Sequence, residues 1–264
     1  MASAVPDAGV PGPAAGGGIR RLAVPAFLAI VVADLLILQG VGALADTGLD
    51  GFEHGRFETG EQVALGLLLP VGLSVVFVYA VVAALGWWRP VLVDDRPVRR
   101  WLWVVPTVFA VATAAAVDYG DLADKGIGFV ALLLFAALCV GFGEEGMFRG
   151  IGVITFRVNG FSEGRVALWS SVVFGAVHLT NALSTGGTAV TQAIAVSFAG
   201  YFFYLTRRVS GGLVVPAVLH GLFDFSILSG AVAGDATYAG AIAAILAYPV
   251  VAVILLVGRH RIEP

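Results

Sequence analysis

Charge is scarce in this chain. Charged residues make up 12% of it, where a soluble domain carries about 25%. Lysine is nearly missing: Lys125 stands alone, and every other cation is Arg. The basic residues sit in short connections and form no stripe, which excludes a nucleic-acid-binding surface. Cys139 is the sole cysteine and lies inside an apolar run, so no disulfide framework or Cys-based metal site can form within one chain. The zinc-protease pattern H-E-x-x-H is also missing.

What fills the chain is apolar. Hydrophobic residues make up 59%, with a mean hydropathy of +0.94. They come in runs near the length a helix needs to cross a bilayer, about 20 residues. Residues 1–18 are rich in Pro, Gly and Ala with one charge, Asp7, and are expected to form a disordered tail. Residues 19–264 are expected to form a single transmembrane helical domain. Its first span is 22–44, after Arg20 and Arg21. Ala43-Leu44-Ala45 fits a signal cleavage site, but the run exceeds a signal core of about 7–15 residues, so an uncleaved span is expected. Further spans are expected at 63–86, 101–117, 127–147, 166–183, 190–206, 212–230 and 238–257, the fourth lengthening if Ile151–Phe156 continues it. The fold class is all-α: a polytopic membrane bundle of about eight transmembrane helices. Thirteen of the fifteen basic residues fall on alternate sides of successive spans, leaving only Arg56 and Lys125 on the other side. Since cytoplasmic loops collect Lys and Arg, both termini are expected in the cytoplasm of a multi-pass plasma-membrane protein.

Ionisable side chains within such spans cost about 2.5–3.5 kcal/mol each for Asp, Arg or Lys, and they persist when paired or functional. Here they are Asp34, Glu144, Glu145, Arg149, His178, His220 and Asp224. All but Asp34 fall on three spans. Glu145 and Arg149 are four apart, as are His220 and Asp224, so each pair shares a helix face. Glu144 points about 100° away from Glu145 and is free to face elsewhere. Gly141, Gly143 and Gly146 spell G-x-G-x-x-G, but they follow a long apolar helix and sit among carboxylates, so close helix approach explains them better than a dinucleotide. Asp34 has no evident partner and stays outside the expected site.

Two imidazoles among carboxylates suit water activation. A carboxylate in a low-dielectric pocket can act as general base, with His sharing the water or polarising a carbonyl. The same groups suit Zn²⁺ held by Glu144, His178 and His220. A metal-free glutamate mechanism and a zinc mechanism both stay open.

The order E-E-x-x-x-R, F-x-x-x-H, then H-x-x-x-N or D on successive membrane helices resembles the CPBP family. That family groups type II CAAX prenyl endopeptidases with bacteriocin-processing and immunity proteins of the Abi group. Glu144, Glu145 and Arg149 match the first motif, Phe174 and His178 the second, His220 and Asp224 the third, within about residues 126–230. The resemblance implies an intramembrane endopeptidase acting on a peptide or membrane protein, with lipidated C-termini the best-known substrates. It implies Glu144 as base with His178 beside it, His220 and Asp224 at the oxyanion, and Glu145–Arg149 as a structural pair. The family's eukaryotic CAAX enzymes carry Asn where this chain has Asp224, and Asp donates a hydrogen bond only when protonated. Two other readings compete: a non-catalytic scaffold or immunity protein, and an ion or proton transporter. A transporter is disfavoured by the lack of repeat symmetry between the halves.

Overall fold

The computed structural model describes residues 19–49, 57–96, 98–182, 188–230, 232, 241–258 and 261–262. The expected tail, Arg56 and Arg259 lie outside these. The described residues are helical, with one isolated antiparallel bridge, Val93 to Gly212.

Each apolar run becomes a helix. The order is α1 Val24–Asp46, α2 Gly60–Leu85, α3 Trp88–Leu92, α4 Val104–Ala116, α5 Tyr119–Lys125, α6 Ile127–Val158, α7 Glu163–Val177, α8 Thr188–Ser210, α9 Val214–Gly230 and α10 Ala241–Gly258. Pro25 sits in the first turn of α1, where its missing N–H costs nothing. A capping box of Thr59 and Gln62 opens α2, and Gly86 ends it at φ 69°, a left-handed position that suits glycine.

Among the described residues, four helices are long and apolar enough to cross a membrane: α1, α2, α6 and α8. A fifth span results if α4 and α5, bent by 58°, count as one. Helices α7 and α9 have 15 and 17 residues, fewer than the roughly 20 of a typical span. Among the described residues each of the eight expected apolar segments is mainly helical, positions 183 and 238–240 lying outside them; eight full crossings are not established by length. Helix α6 does run on through Ile151–Phe156, covering 32 residues. Helix α7 stops at Val177, six residues before the expected end at 183, and His178–Asn181 continue as a tight 3₁₀ turn.

The basic connections collect at one end. Arg20 donates to the Ala84 carbonyl, Arg21 to Asn159, and the Arg99 N–H to the Ile262 carbonyl. Asp94 pairs with Arg157 at 2.8 Å and Arg207 at 3.1 Å. Glu163 pairs with Arg96, with Arg157 and Arg208 at 2.8 Å each, and accepts from Tyr204. Lys125 donates to the Glu58 carbonyl and so joins the two connections that hold the other acids.

Between these ends lies an aromatic core. Phe109 packs against Phe202, Phe203, Phe223 and Tyr248, joining α4, α8, α9 and α10. Helices α6 and α9 cross almost backbone to backbone. A Cβ on Gly141 would lie 2.2 Å from the Ala217 carbonyl oxygen, and one on Gly221 would lie 2.7 Å from the Leu138 Cα. This crossing carries the expected site residues of the two helices toward each other.

Candidate active site

Glu144 and Glu145 end the regular part of α6, and Gly146–Gly152 wind as a π-helix before α-geometry resumes. Such wide turns are rare and recur at functional positions. Three glycines in this turn let neighbours press close. Cβ atoms on Gly146, Gly150 and Gly152 would meet Val78, Val91 and Phe27 at 3.1, 2.9 and 2.9 Å.

Glu145 and Arg149 are each fully buried and pair at 3.1 Å. The same Glu145 oxygen lies 2.9 Å from Nδ1 of His220. A carboxylate accepts, so Nδ1 carries a proton, and Nε2 points onward to further carboxylates. It faces Asp224 Oδ2 at 3.5 Å and Glu144 Oε2 at 3.7 Å. His178 Nδ1 donates to the Phe174 carbonyl at 2.8 Å, which leaves its Nε2 as an acceptor. Phe174 is the hub of these groups. Its ring lies 4.0 Å from the Arg149 guanidinium carbon and meets His178 and His220 edge-on at 5.0 and 5.8 Å. Cation–π attraction and the Glu145 charge thus hold a buried Arg.

Two cavities flank this cluster. The larger, about 400 Å³, is lined by His178, His220 and Asp224 with apolar walls from Phe203, Phe223 and Tyr248. The smaller, about 110 Å³, is lined by Glu144, His178 and Asp34. His178 stands on both walls. Glu144, His178, His220 and Asp224 are therefore brought together, while Glu145 and Arg149 lie behind His220 and line neither cavity.

Two neighbours carried no assignment from sequence. Phe203 stacks on His220 at 4.7 Å and 13°, and nothing in its sequence context marks it. Asp34 faces the Glu144 cavity; the cost of an acid in an apolar run flagged it, but its neighbour is far along the chain.

Among the described residues, no three His, Cys, Asp or Glu side chains are disposed to hold a metal ion. The donors considered for zinc do not fit as they stand, because His220 is engaged by Glu145 at one nitrogen and faces two acids with the other. One further pattern, Gly160-Phe161-Ser162-Glu163-Gly164, spells G-x-S-x-G. It does not form a nucleophile elbow, which needs a strand feeding a helix. A helix precedes it, Ser162 sits at the N-cap of α7, and Glu163 is committed to arginines.

Residues 126–226 match the model of a family described as Rce1-like, type II CAAX prenyl endopeptidase Rce1-like. The match covers less than half of the chain. The matched segment spans α6, α7, α8 and most of α9, and so contains the ionisable site residues except Asp34. No curated protein and no solved structure matches the chain. The matched family is one of proteases.

Proposed function

We propose that this protein is an intramembrane endopeptidase that cuts its substrate with a water activated by Glu144. The reading rests on one observation above all: Glu144 of α6 faces His220 of α9 across 3.7 Å, with His178 on the wall of the same cavity as each. The water lies between Glu144 and His178. Its O–H bond breaks, the proton passes to Glu144, and the hydroxide oxygen adds to the scissile carbonyl carbon. His220 acts as an imidazolium: its Nδ1–H is held by Glu145, and its Nε2–H, flanked by Glu144 and Asp224, donates to the carbonyl oxygen and stabilises the oxyanion. Asp224 flanks that nitrogen and steadies the ring. On collapse, the C–N bond breaks and Glu144 returns its proton to the leaving amine, so no proton is gained or lost at the enzyme.

The substrate lies in the larger cavity, whose apolar walls suit a peptide held in lipid and leave room for a lipid-bearing segment. The basic end faces the cytoplasm on the positive-inside rule.

The test compares the membrane peptidomes of cells carrying wild type and Glu144→Gln, which keeps size and removes the base. Uncut precursors accumulating with Glu144→Gln are expected. Identical peptidomes with equal protein levels would remove the protease reading in favour of a non-catalytic membrane scaffold.

A further inference from the structure

Two carboxylates line one small cavity, and each keeps one buried oxygen without a hydrogen bond from the described protein, although Ser74 bonds the Asp34 carboxylate. These oxygens are Oδ1 of Asp34 and Oε2 of Glu144. Asp34 is 8% exposed and projects from α1, a helix outside the family-matched segment. The cavity it shares with Glu144 and His178 measures about 110 Å³, room for several water molecules at about 30 Å³ each in the liquid. Its rim is polar as well. Gln39 donates to Thr180 at 3.2 Å, tying α1 to the turn that begins with His178.

Buried polar atoms are seldom left without a partner, and ordered water commonly supplies it. An apolar cavity of this size would stay dry, but one with two orphan carboxylate oxygens and an imidazole would not. The second cavity, across His178, has mainly apolar walls and suits substrate. Glu144 lines the small cavity and not the large one. A base that sits on the water side, with an imidazole on both walls, divides the two reactants of a hydrolysis.

We propose that the small cavity between α1 and α6 is a water store that feeds Glu144, and that Asp34 is a positioning residue holding this water in place. The role in turnover rests on the protease reading; the existence of the water store does not.

The experiment uses the full chain in detergent micelles and radiolytic hydroxyl labelling, which marks side chains beside bound water. Phe148 lines the small cavity, whereas Phe109 lies in the aromatic core. In wild type, Phe148 is expected to label at least threefold faster than Phe109. Asp34→Leu should abolish that excess, while Asp34→Asn, which still binds water, should keep it and guards against misfolding as the explanation. Equal labelling of the two rings in wild type, or an excess untouched by Asp34→Leu, overturns the proposal. Turnover of a precursor that accumulates with Glu144→Gln then reads the role of the water. Asp34→Leu should lower kcat tenfold or more with KM unchanged, and Asp34→Asn should restore most of it. A raised KM with normal kcat, or wild-type turnover, overturns the positioning role. If Glu144→Gln accumulates no precursor, the protease reading fails and the labelling alone decides the water store.

Discussion

Glu144 and Glu145 are adjacent in the chain, yet their surroundings give them different work. Glu145 has no exposure and is shared by Arg149 and His220, whereas Glu144 opens onto a cavity. Removing one partner of a buried ion pair leaves an uncompensated charge, at a cost of about 3–5 kcal/mol. Arg149→Met should therefore lower the melting temperature in detergent sharply. The double variant Glu145→Met/Arg149→Met should recover part of that loss, although activity stays low because His220 loses its anchor. Glu144→Gln should melt close to wild type while losing turnover. The geometry of the donors also predicts that dialysis against a chelator leaves turnover intact; loss of activity that zinc alone restores would refute the metal-free step. At this scale the motif residues were legible from their cost in an apolar run, and the i, i+4 pairs from spacing. The link from Glu145 to His220 was not, because it joins positions 75 apart in sequence.

Helix α6 shows what a whole element adds. Its apolar run predicted a helix, and its glycines predicted close approach. The π-turn at Gly146–Gly152 and the crossing at Gly141 and Gly221 follow from contact with neighbouring helices, which one-dimensional spacing does not contain. Gly141→Ala forces a methyl to 2.2 Å from the Ala217 carbonyl oxygen, so α6 and α9 must separate. Overpacking of this kind costs about 1–3 kcal/mol. The variant should melt lower and turn over more slowly, since Glu144 and His220 part with the helices. Gly72→Ala, with nothing within 4 Å of the new methyl, is the matched control and should be neutral or slightly stabilising. Comparable melting of the two variants would show that the crossing is not tight. The early stop of α7 likewise has a tertiary setting, where the His178 turn is tied to α1 through Gln39 and Thr180.

Across the whole molecule, charge gathers at one end as a network of Asp94 and Glu163 with four arginines. Glu163, at that end and outside the apolar segments, feels burial that would raise its pKa. Hydrogen bonds from Arg157 and Tyr204, with the charges of Arg157 and Arg208, outweigh it and hold the carboxyl down at about 2. A depressed carboxylate stabilises the fold fully above its ordinary value of 4.5 and loses that contribution as pH falls toward 2. Melting temperature should therefore fall between pH 4.5 and 2. Glu163→Gln should melt lower at pH 6 and show a flatter dependence below 4.5; an unchanged slope would mean that other carboxylates carry the acid sensitivity. The alternation of cations along the sequence foretold one basic end. It did not foretell that these cations would clasp two acids, or that Arg157 and Arg207 would share Asp94.

The sequence by itself determined an apolar helical protein, the positions of its helices within a few residues, and the few ionisable groups worth retaining in lipid. These follow from local quantities: run length, hydropathy and helical repeat. Only the tertiary structure decided which acid meets which imidazole, that Asp34 shares a cavity with Glu144, and how many helices have the length to cross. Those outcomes depend on how closely two backbones can approach, which is set by the shapes of helices far apart along the chain.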